Sequence, residues 1–396
     1  MEIKINRRAF VRLVGGGAFA AAVPALGGCA SDDPAQAVAA WAGPGDEPDV
    51  RRWALGYAIL APNSHNRQPW LVDLGTPDTI TLYVDRERLL PMTDPWFRQI
   101  VVSQGTFIES LVIALRERGL APRVQLFPQG EFAPRGLDAR PVARISWPAG
   151  TAAAQPDPLF AQLLRRHTAK VDYDTSRPVA AATLAQLESV LGNLGVRYGA
   201  TVEPARLTRL RTLCWDAARA ELLTERTVME SIRLTRLGPQ EIAQHRDGIS
   251  VNGWLPRLAG AVGAFDRTRP PAEGSSAYKQ MMGRFEGHSR SAMGFVWLST
   301  PTAVHHAAGT MRSAKVNAGR AYLRLQLKAT ELGLQVHPMS QAPQEFDEMK
   351  PYYEQLHQET LGQAATQETV QLFCRVGYCA DQPHTPRREL NAIIRA

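Results

Sequence analysis

The chain has 396 residues, of which 44% are hydrophobic and 21% charged, so it can bury two or three ordinary cores and is not a disordered tail. Four cysteines without a Cys-x-x-Cys pair exclude a disulfide framework and give no support to a zinc or thiol-exchange site. The formal net charge is +7, and residues 1–29 contribute +3 of it. The +4 that remains is too mild to indicate a nucleic-acid partner.

The first residues predict an export signal. Paired arginines, Arg7 and Arg8, precede a weakly apolar stretch at residues 13–26 that is too short to span a bilayer. This segment resembles a twin-arginine signal, which the twin-arginine export machinery reads. Leu26-Gly27-Gly28-Cys29 then resembles a bacterial lipoprotein box. An ordinary signal peptide with an unrelated cysteine is the alternative.

These two resemblances imply cleavage before Cys29, lipidation of its thiol and a periplasmic or cell-envelope location. A lipid anchor at Cys29 would then be the membrane contact of the protein. Residues 30–50 are rich in Asp, Ala, Gly and Pro and predict a flexible linker between the anchor and the fold.

A polar loop follows the first predicted helix, at residues 52–60. The helix is expected to end at Ala61-Pro62, because proline disfavours helical geometry in the residue before it. The next residues are Asn63-Ser64-His65-Asn66-Arg67-Gln68-Pro69-Trp70. Amide and hydroxyl side chains between two prolines suit the edge of a planar heterocycle. The alternative is a loop that only caps the helix.

A strand, a long helix and a second strand occur twice along the chain. The first set is expected at residues 79–84, 97–119 and 123–127, and the second at 294–300, 311–334 and 335–337. The two helices share a glycine in mid-helix, Gly105 and Gly319, which predicts close approach of another backbone. The sequence therefore predicts two related halves, residues 51–150 and 151–396.

Two basic segments lie in the second half. Arg165-Arg166-His167-Thr168-Ala169-Lys170 combines guanidinium, ammonium and hydroxyl groups that together could hold a phosphate. Basic residues that only close a helix C-terminus against its dipole are the alternative. Thr385-Pro386-Arg387-Arg388 is the second segment, and a solvated basic tail is its alternative.

These motifs together resemble those of the FMN-dependent nitroreductase superfamily. Its loop pattern, Pro-Ser-x-x-Asn-x-Gln-Pro-Trp, is matched except at Asn63, where Ser is commoner; Ser64 offers a hydroxyl one position later. The resemblance implies FMN as cofactor and chemistry at the flavin N5, with no catalytic side chain assigned. The cofactor-binding residues that it implies are Pro62, Asn63, Ser64, Asn66, Gln68, Arg166, His167, Thr168, Lys170, Pro338, Ser340, Gln341, Arg387 and Arg388.

The resemblance also implies that the two halves supply different parts of one site. The ring-binding loop lies in the first half and the phosphate-binding segment in the second, so each chain would have one site and bind FMN as a monomer. We therefore expect an α+β, nitroreductase-like fold whose two related α/β halves form an intramolecular pseudo-dimer, similar to the Acg-like branch. Residues 203–293 depart most from the family and are interpreted as a lid-like insertion with a long loop at residues 267–276.

Two functions remain open from the sequence. The first is an oxidoreductase that reduces a small planar electron acceptor, such as a nitroaromatic or a quinone, through the flavin. The second is a flavin-binding or storage protein with a lid-occluded site and little turnover. Export would separate the protein from cytoplasmic nicotinamide donors, so the sequence does not identify the source of electrons.

Overall fold

The computed structural model describes residues 33–148, 150, 152–252, 266–301, 311–362 and 368–395. The predicted signal and Cys29 lie outside the described residues. In the part that is described, no helix has the length and apolar character needed to cross a bilayer.

The first half contains one antiparallel sheet, in the order β1-β2-β4-β3. Its elements are α1 (Ala35–Val38), α2 (Val50–Ala58), β1 (Trp70–Asp73), β2 (Thr79–Val84), α3 (Arg98–Glu117), β3 (Arg123–Leu126) and β4 (Ala143–Ser146). Asp49 caps α2 by accepting a hydrogen bond from the Arg51 amide at 2.9 Å. The buried face of the sheet packs on α2 and α3 in one core.

The second half contains a sheet in the order β5-β8-β10-β9 and a separate two-stranded ladder. Its elements are α4 (Ala181–Glu188), β5 (Arg197–Thr201), α5 (Pro204–Leu223), α6 (Glu225–Arg233), β6 (Thr235–Leu237), α7 (Gly238–His245), β7 (Ile249–Val251), α8 (Ser276–Arg290), β8 (Gly294–Pro301), α9 (Met311–Glu331), β9 (Gln335–Pro338), α10 (Lys350–Leu361) and β10 (Glu368–Gly377). Both four-stranded sheets thus have the same strand order around one long helix. The predicted α+β class and the two related halves are confirmed.

The long helices α3 and α9 pack directly against each other where the two glycines lie. A Cβ atom on Gly105 would lie 1.9 Å from the Val316 carbonyl oxygen, and one on Gly319 would lie 2.0 Å from the Val102 carbonyl oxygen. Any side chain at either position would push the helices apart. The prediction that both mid-helix glycines allow close approach of another backbone is confirmed.

The N-terminal segment corrects one prediction. Residues 33–50, expected to belong to a flexible linker, form α1 and a 3₁₀ turn (Ala39–Ala42), and they bury Ala37 and Trp41. The segment is ordered because the Trp41 indole packs into the protein body, where its Nε1–H donates to the Thr385 carbonyl oxygen at 2.8 Å.

The expected lid at residues 203–293 is also corrected. Its first element, α5, belongs to the core of the second half, where Leu210 and Leu213 join Phe295 and Phe373. These leucines recur at helical spacing, so α5 buries one face against the sheet. The part of the insertion that contacts the predicted ring-binding loop is Ser231 of α6 together with residues 246–248.

Candidate functional site

The loop between α2 and β1 has an unusual backbone. His65, Asn66 and Gln68 all have φ near +50°, a left-handed conformation that residues other than glycine rarely adopt. Such residues each cost about 1–3 kcal/mol and persist only where surrounding contacts hold them. Three such residues in one loop therefore indicate that contacts with neighbouring residues determine the shape of the loop.

Side chains within the loop provide part of that restraint. The Asn63 carboxamide oxygen accepts a hydrogen bond from the Gln68 amide at 2.7 Å. The Ser64 hydroxyl donates to Gln99 of α3 at 2.7 Å, and the Pro62 carbonyl oxygen accepts from Thr106 at 2.7 Å. Asn63 and Ser64 thus fix the loop against itself and against α3.

Asn66 and Gln68 connect the loop to the C-terminal segment. The Asn66 carboxamide donates to the Pro386 carbonyl oxygen and accepts from the Arg387 guanidinium, both at 2.9 Å. The Gln68 carboxamide accepts from the Arg388 amide at 2.8 Å. Sequence motifs more than 300 residues apart are therefore joined by direct hydrogen bonds.

The insertion holds the same loop from the other side. Asp247 is buried and pairs with Arg67 of the loop at 3.0 Å, and it also pairs with Arg88 and Arg236. The Gly248 amide donates to the Asn66 carbonyl oxygen at 3.2 Å. These side chains are largely shielded from solvent, so removal of one partner would leave a buried charge without compensation.

Two buried arginines, Arg166 and Arg387, meet at the end of α2. Their side chains are 2% and 3% exposed. Both guanidinium groups donate to one acceptor, the Leu60 carbonyl oxygen, at 2.8 and 3.1 Å. Burial lowers the pKa of Arg166 to about 10, and burial together with the charge of Arg166 lowers the pKa of Arg387 well below its ordinary value. Neither side chain forms an ion pair with a carboxylate in the described part of the chain.

Polar groups of α9 and of the preceding segment surround Arg166. Gln326 accepts from the Arg166 guanidinium at 3.2 Å and donates to the Thr168 hydroxyl at 2.9 Å. The Nε atoms of Arg166 and Arg387 are buried without a hydrogen-bond partner among the described residues, and so is the hydroxyl of Tyr322, one turn before Gln326. The cluster therefore holds several unsatisfied donors around two uncompensated positive charges.

Trp41 closes the outer side of the arginine pair. The carbon at the centre of each guanidinium lies 5.1 Å (Arg166) and 5.0 Å (Arg387) from the indole ring centroid, within the range of a cation–π contact. The same indole stacks on His384, with ring centroids 4.0 Å apart. The N-terminal segment thus forms one wall of the cluster.

Arg388 lies outside the arginine pair. Its guanidinium forms an ion pair with Asp85 at 3.4 Å and donates to the Ala392 carbonyl oxygen at 2.7 Å. Of these two adjacent arginines, Arg387 therefore lies beside Arg166 and Arg388 beside Asp85. His167 is half-buried, its ring lies edge-on to His384, and its Nε2 has no partner in the described chain.

Lys170 and three histidines lie near the arginine pair. Enclosure by the protein and the charges of Arg284 and Arg387 lower the pKa of Lys170 to about 8. His65, His288 and His337 feel the charge of Lys170, and burial is the main cause that lowers the pKa of each. These histidines are neutral at pH 7, so the positive charge of this region rests on the arginines and the lysine.

The predicted ring loop at residues 338–341 begins next to Lys170. His337 accepts a hydrogen bond from Arg375 at 3.0 Å and lies 5.2 Å from the His288 ring, between centroids. Pro338 ends the edge strand β9, and Ser340 and Gln341 are half-buried. Burial raises the pKa of Glu221 in α5 to about 7, although the carboxamides of Gln344 and Gln341 act against that rise.

The sequence analysis does not predict three residues of this site. Trp41 lies in the predicted linker, and Tyr322 and Gln326 lie among the apolar residues of α9. A polar residue on the buried face of a helix usually has a hydrogen-bond partner, so Gln326 is the one position at which the sequence indicated a buried polar site.

Two proteins similar to this chain are named as nitroreductases. The Mycobacterium tuberculosis protein "Putative NAD(P)H nitroreductase Rv3131" is 26% identical over 354 residues, which cover 87% of this chain and 90% of the relative. "Putative NAD(P)H nitroreductase acg" of the same organism is 31% identical over 80 residues, which cover 20% of this chain and 24% of that protein. No family model matches the chain.

Solved structures show more distant similarity. The FMN-dependent nitroreductase NfnB from Mycobacterium smegmatis, crystallised in complex with NADPH, superposes with a TM-score of 0.35 at 15% identity. The superposition covers 59% of this chain and 94% of that chain. Sequence similarity over nearly the whole chain therefore connects this protein with proteins named as nitroreductases.

Proposed function

We propose that the protein binds one FMN between its two halves and acts as a nitroreductase-like oxidoreductase toward a small planar electron acceptor. The observation that carries this proposal is the buried pair Arg166 and Arg387, which has no carboxylate partner among the described residues. Two uncompensated charges in a protein interior are costly and call for an anion. The loop motif and the names of the relatives support a flavin phosphate as that anion.

The residues present fit the phosphate of FMN. A phosphate monoester carries about two negative charges and three strong acceptor oxygens, which match two guanidinium groups in charge. The Nε atoms of both arginines have no hydrogen-bond partner among the described residues and supply donors, and the hydroxyls of Thr168 and Tyr322 lie beside them. Arg166, Arg387, Thr168 and Tyr322 are therefore the residues that would hold the phosphate.

Bound FMN would supply hydride transfer at its N5, and the chain would position and tune the ring. Lys170 lies next to the phosphate cluster and adds a positive charge that favours an anionic reduced ring. His337 and the loop at residues 338–341 would form the wall on the side of β9. Neutral histidines near Lys170 keep this wall polar without further charge.

The single-site arrangement supports one FMN per chain and an intramolecular pseudo-dimer. The two halves share strand order and long helix, yet Arg166 lies only in the second half and the Asn66 loop only in the first. The two parts of one site thus come from different halves of one chain. A monomer is expected to bind FMN at a 1:1 ratio.

Reconstitution and reduction of the protein test this function. Purified protein incubated with FMN and desalted should keep one flavin per chain, and the photoreduced protein should be reoxidised anaerobically by nitroaromatics or quinones. Arg166→Gln should lose flavin, whereas the exposed neighbour Arg165→Gln should keep it and serves as the matched control. Equal flavin content in both variants, or two flavins per chain, would contradict the proposal.

A flavin-binding protein with little turnover is the second candidate. The buried ion pair between Arg67 of the loop and Asp247 of the insertion favours it, because this contact joins the insertion to the ring-binding loop. Residues 225–251 would then limit access to the ring. Slow reoxidation of the photoreduced protein that becomes fast in Asp247→Asn would support storage, and fast reoxidation of the unmodified protein would exclude it.

We also propose export by the twin-arginine route and a lipid anchor at Cys29. The paired arginines and the Leu-Gly-Gly-Cys sequence support this location. Cofactor loading before export agrees with it, because that route carries folded proteins. Cell fractionation tests it: Cys29→Ser should release the protein from membranes, and Arg7→Lys with Arg8→Lys should keep it in the cytoplasm.

A further inference from the structure

The N-terminal strap, which we define as residues 34–43, is held by the C-terminal segment that carries Arg387. The Trp41 indole donates a hydrogen bond to the Thr385 carbonyl oxygen at 2.8 Å. The backbone amide of Arg387 donates to the Ala37 carbonyl oxygen at 2.9 Å. Ala37 and Trp41 are the buried residues of the strap. Both buried positions therefore depend on where the C-terminal segment lies.

Two cavities flank the strap. The first, of about 420 Å³, lies between the strap, α2 and the C-terminal segment, and Ala40 and Gly56 line it. The second, of about 550 Å³, is an open groove between the strap and α7, and Ala243 lines it. Gln36 and Arg246 line both. Because space lies on two sides of the strap, its position depends on the hydrogen bonds to the C-terminal segment more than on packing.

The strap joins the rest of the fold at a glycine that can act as a hinge. Gly43 has φ +84°, a backbone conformation that glycine adopts at low cost. The next residue, Pro44, is fixed against α2, because a Cβ atom on Gly56 would lie 2.7 Å from the Pro44 Cβ atom. Rotation at Gly43 can therefore move the strap without moving α2.

Arg387 connects the strap to the proposed phosphate site. Its amide holds Ala37, and its guanidinium donates, like that of Arg166, to the Leu60 carbonyl oxygen. The Trp41 ring centroid lies 5.1 and 5.0 Å from the central carbons of the two guanidinium groups. These like charges repel each other, and a bound phosphate would offset the repulsion and restrain Arg387. It would thereby also restrain the backbone that holds the strap.

We propose that FMN binding and docking of the strap are coupled. Phosphate at the arginine pair stabilises the docked strap, and the docked strap slows the release of FMN. This inference rests on the proposed function and deepens it, because it identifies the element that retains the cofactor. Coupling between two binding equilibria is reciprocal, so FMN favours docking by the same factor by which docking raises FMN affinity. Riboflavin lacks the phosphate and should not stabilise the strap.

Hydrogen–deuterium exchange of residues 34–43 tests the coupling in the unmodified protein. Exchange is compared between flavin-free protein and protein with an excess of FMN or of riboflavin. FMN should slow the exchange of the strap by at least about 10-fold, and riboflavin should leave it as it is in the flavin-free protein. Equal protection of the strap by the two flavins would overturn the inference.

The dissociation rate of FMN tests the retaining effect. Trp41→Ala removes the indole over the arginine pair, so FMN should dissociate about 10-fold faster while riboflavin dissociates at an unchanged rate. Gln36→Ala is the matched control, because Gln36 is an exposed strap residue that forms no hydrogen bond within the described residues. An unchanged rate of FMN release in folded Trp41→Ala would overturn the inference. If Trp41→Ala does not fold, the exchange experiment on the unmodified protein decides.

The strap and the flavin site can fail separately. Protein that takes up no FMN contradicts the proposed function, and the strap is then tested with inorganic phosphate and chloride at equal ionic strength. Phosphate should slow the exchange of residues 34–43 relative to chloride, and equal exchange in the two salts would overturn the inference. An FMN-loaded protein whose strap exchanges as fast as in the flavin-free protein contradicts the coupling alone.

Discussion

Two pairs of buried arginines in this molecule have opposite surroundings. Arg98 and Arg312 begin the long helices of the two halves and are 2% and 1% exposed, like Arg166 and Arg387. Arg98 pairs with Glu345 at 3.4 Å, and Arg312 donates to four carbonyl oxygens of the first half while Asp94, Glu345 and Glu131 compensate its charge. Among the described residues, the groups that accept hydrogen bonds from Arg166 and Arg387 are all neutral.

The comparison shows that burial of an arginine does not by itself indicate a ligand site. Arg98 and Arg312 fasten each half to the other, and carboxylates of the protein compensate their charge. Arg166 and Arg387 lack that compensation, so an anion from outside would have to supply it.

Arg312→Met should cause the largest loss of stability. The substitution leaves the carbonyl oxygens of Trp96, Ala133, Pro134 and Gly136 without their donor and leaves nearby carboxylates uncompensated. We expect the free energy of unfolding in urea to fall by about 3–5 kcal/mol. A loss below about 1 kcal/mol would show that the protein does not depend on Arg312 for stability and would contradict the difference from Arg166.

Arg166→Met should have the opposite effect on the flavin-free protein. Replacing an uncompensated buried charge by an apolar side chain of similar length should leave stability unchanged or raise it by about 1–4 kcal/mol. Urea unfolding of the flavin-free protein measures this change. A loss of several kcal/mol would show that Arg166 is a structural arginine like Arg312.

Glu221 extends the comparison to a buried acid. Burial raises its pKa from 4.5 to about 7, so the folded protein binds a proton more tightly than the unfolded chain does. Stability from this group is therefore fully present below pH 4.5 and is lost as the pH rises to about 7. Glu221→Gln should remove a pH-dependent loss of stability on the order of 3 kcal/mol. If the pH dependence of unfolding is the same in this variant, Glu221 does not have a raised pKa in the folded protein.

Trp41→Phe should have the smallest effect. Phenylalanine keeps an aromatic face over the two guanidinium groups but loses the hydrogen bond to Thr385 and part of the cation–π attraction. We expect FMN affinity to fall by about 0.5–1 kcal/mol with little change in riboflavin affinity, because Trp41 contacts the two arginines that we propose bind the phosphate. Trp53→Phe, on α2, is the control for loss of a buried indole and should not change the ratio of the two affinities.

The regular spacing of apolar residues and the positions of two glycines made much of the fold predictable. The helix expected at residues 97–119 is α3 at Arg98–Glu117, and the strand expected at 294–300 is β8 at Gly294–Pro301. Gly105 and Gly319 indicated the helix contact, since a glycine in mid-helix has a cost that a close backbone contact explains.

Other features depend on contacts between residues far apart in the chain, so the local sequence could not predict them. Asp247 meets Arg67 across 180 positions, and the composition of residues 30–50 resembles a linker because the one residue that fixes it, Trp41, packs on the C-terminal segment. Arg387 and Arg388 are adjacent and chemically identical, so only the fold distinguishes the buried one from the one paired with Asp85.

The relative affinity for FMN and riboflavin tests the central claim most directly, because the two flavins differ only in the phosphate. Calorimetric titration should give an FMN affinity well above that for riboflavin in the unmodified protein. In Arg387→Met the FMN affinity should fall by about 1.5–3 kcal/mol, while riboflavin affinity stays the same. Equal affinities for the two flavins in the unmodified protein, or an unchanged ratio in Arg387→Met, would show that the arginine pair does not bind the flavin phosphate.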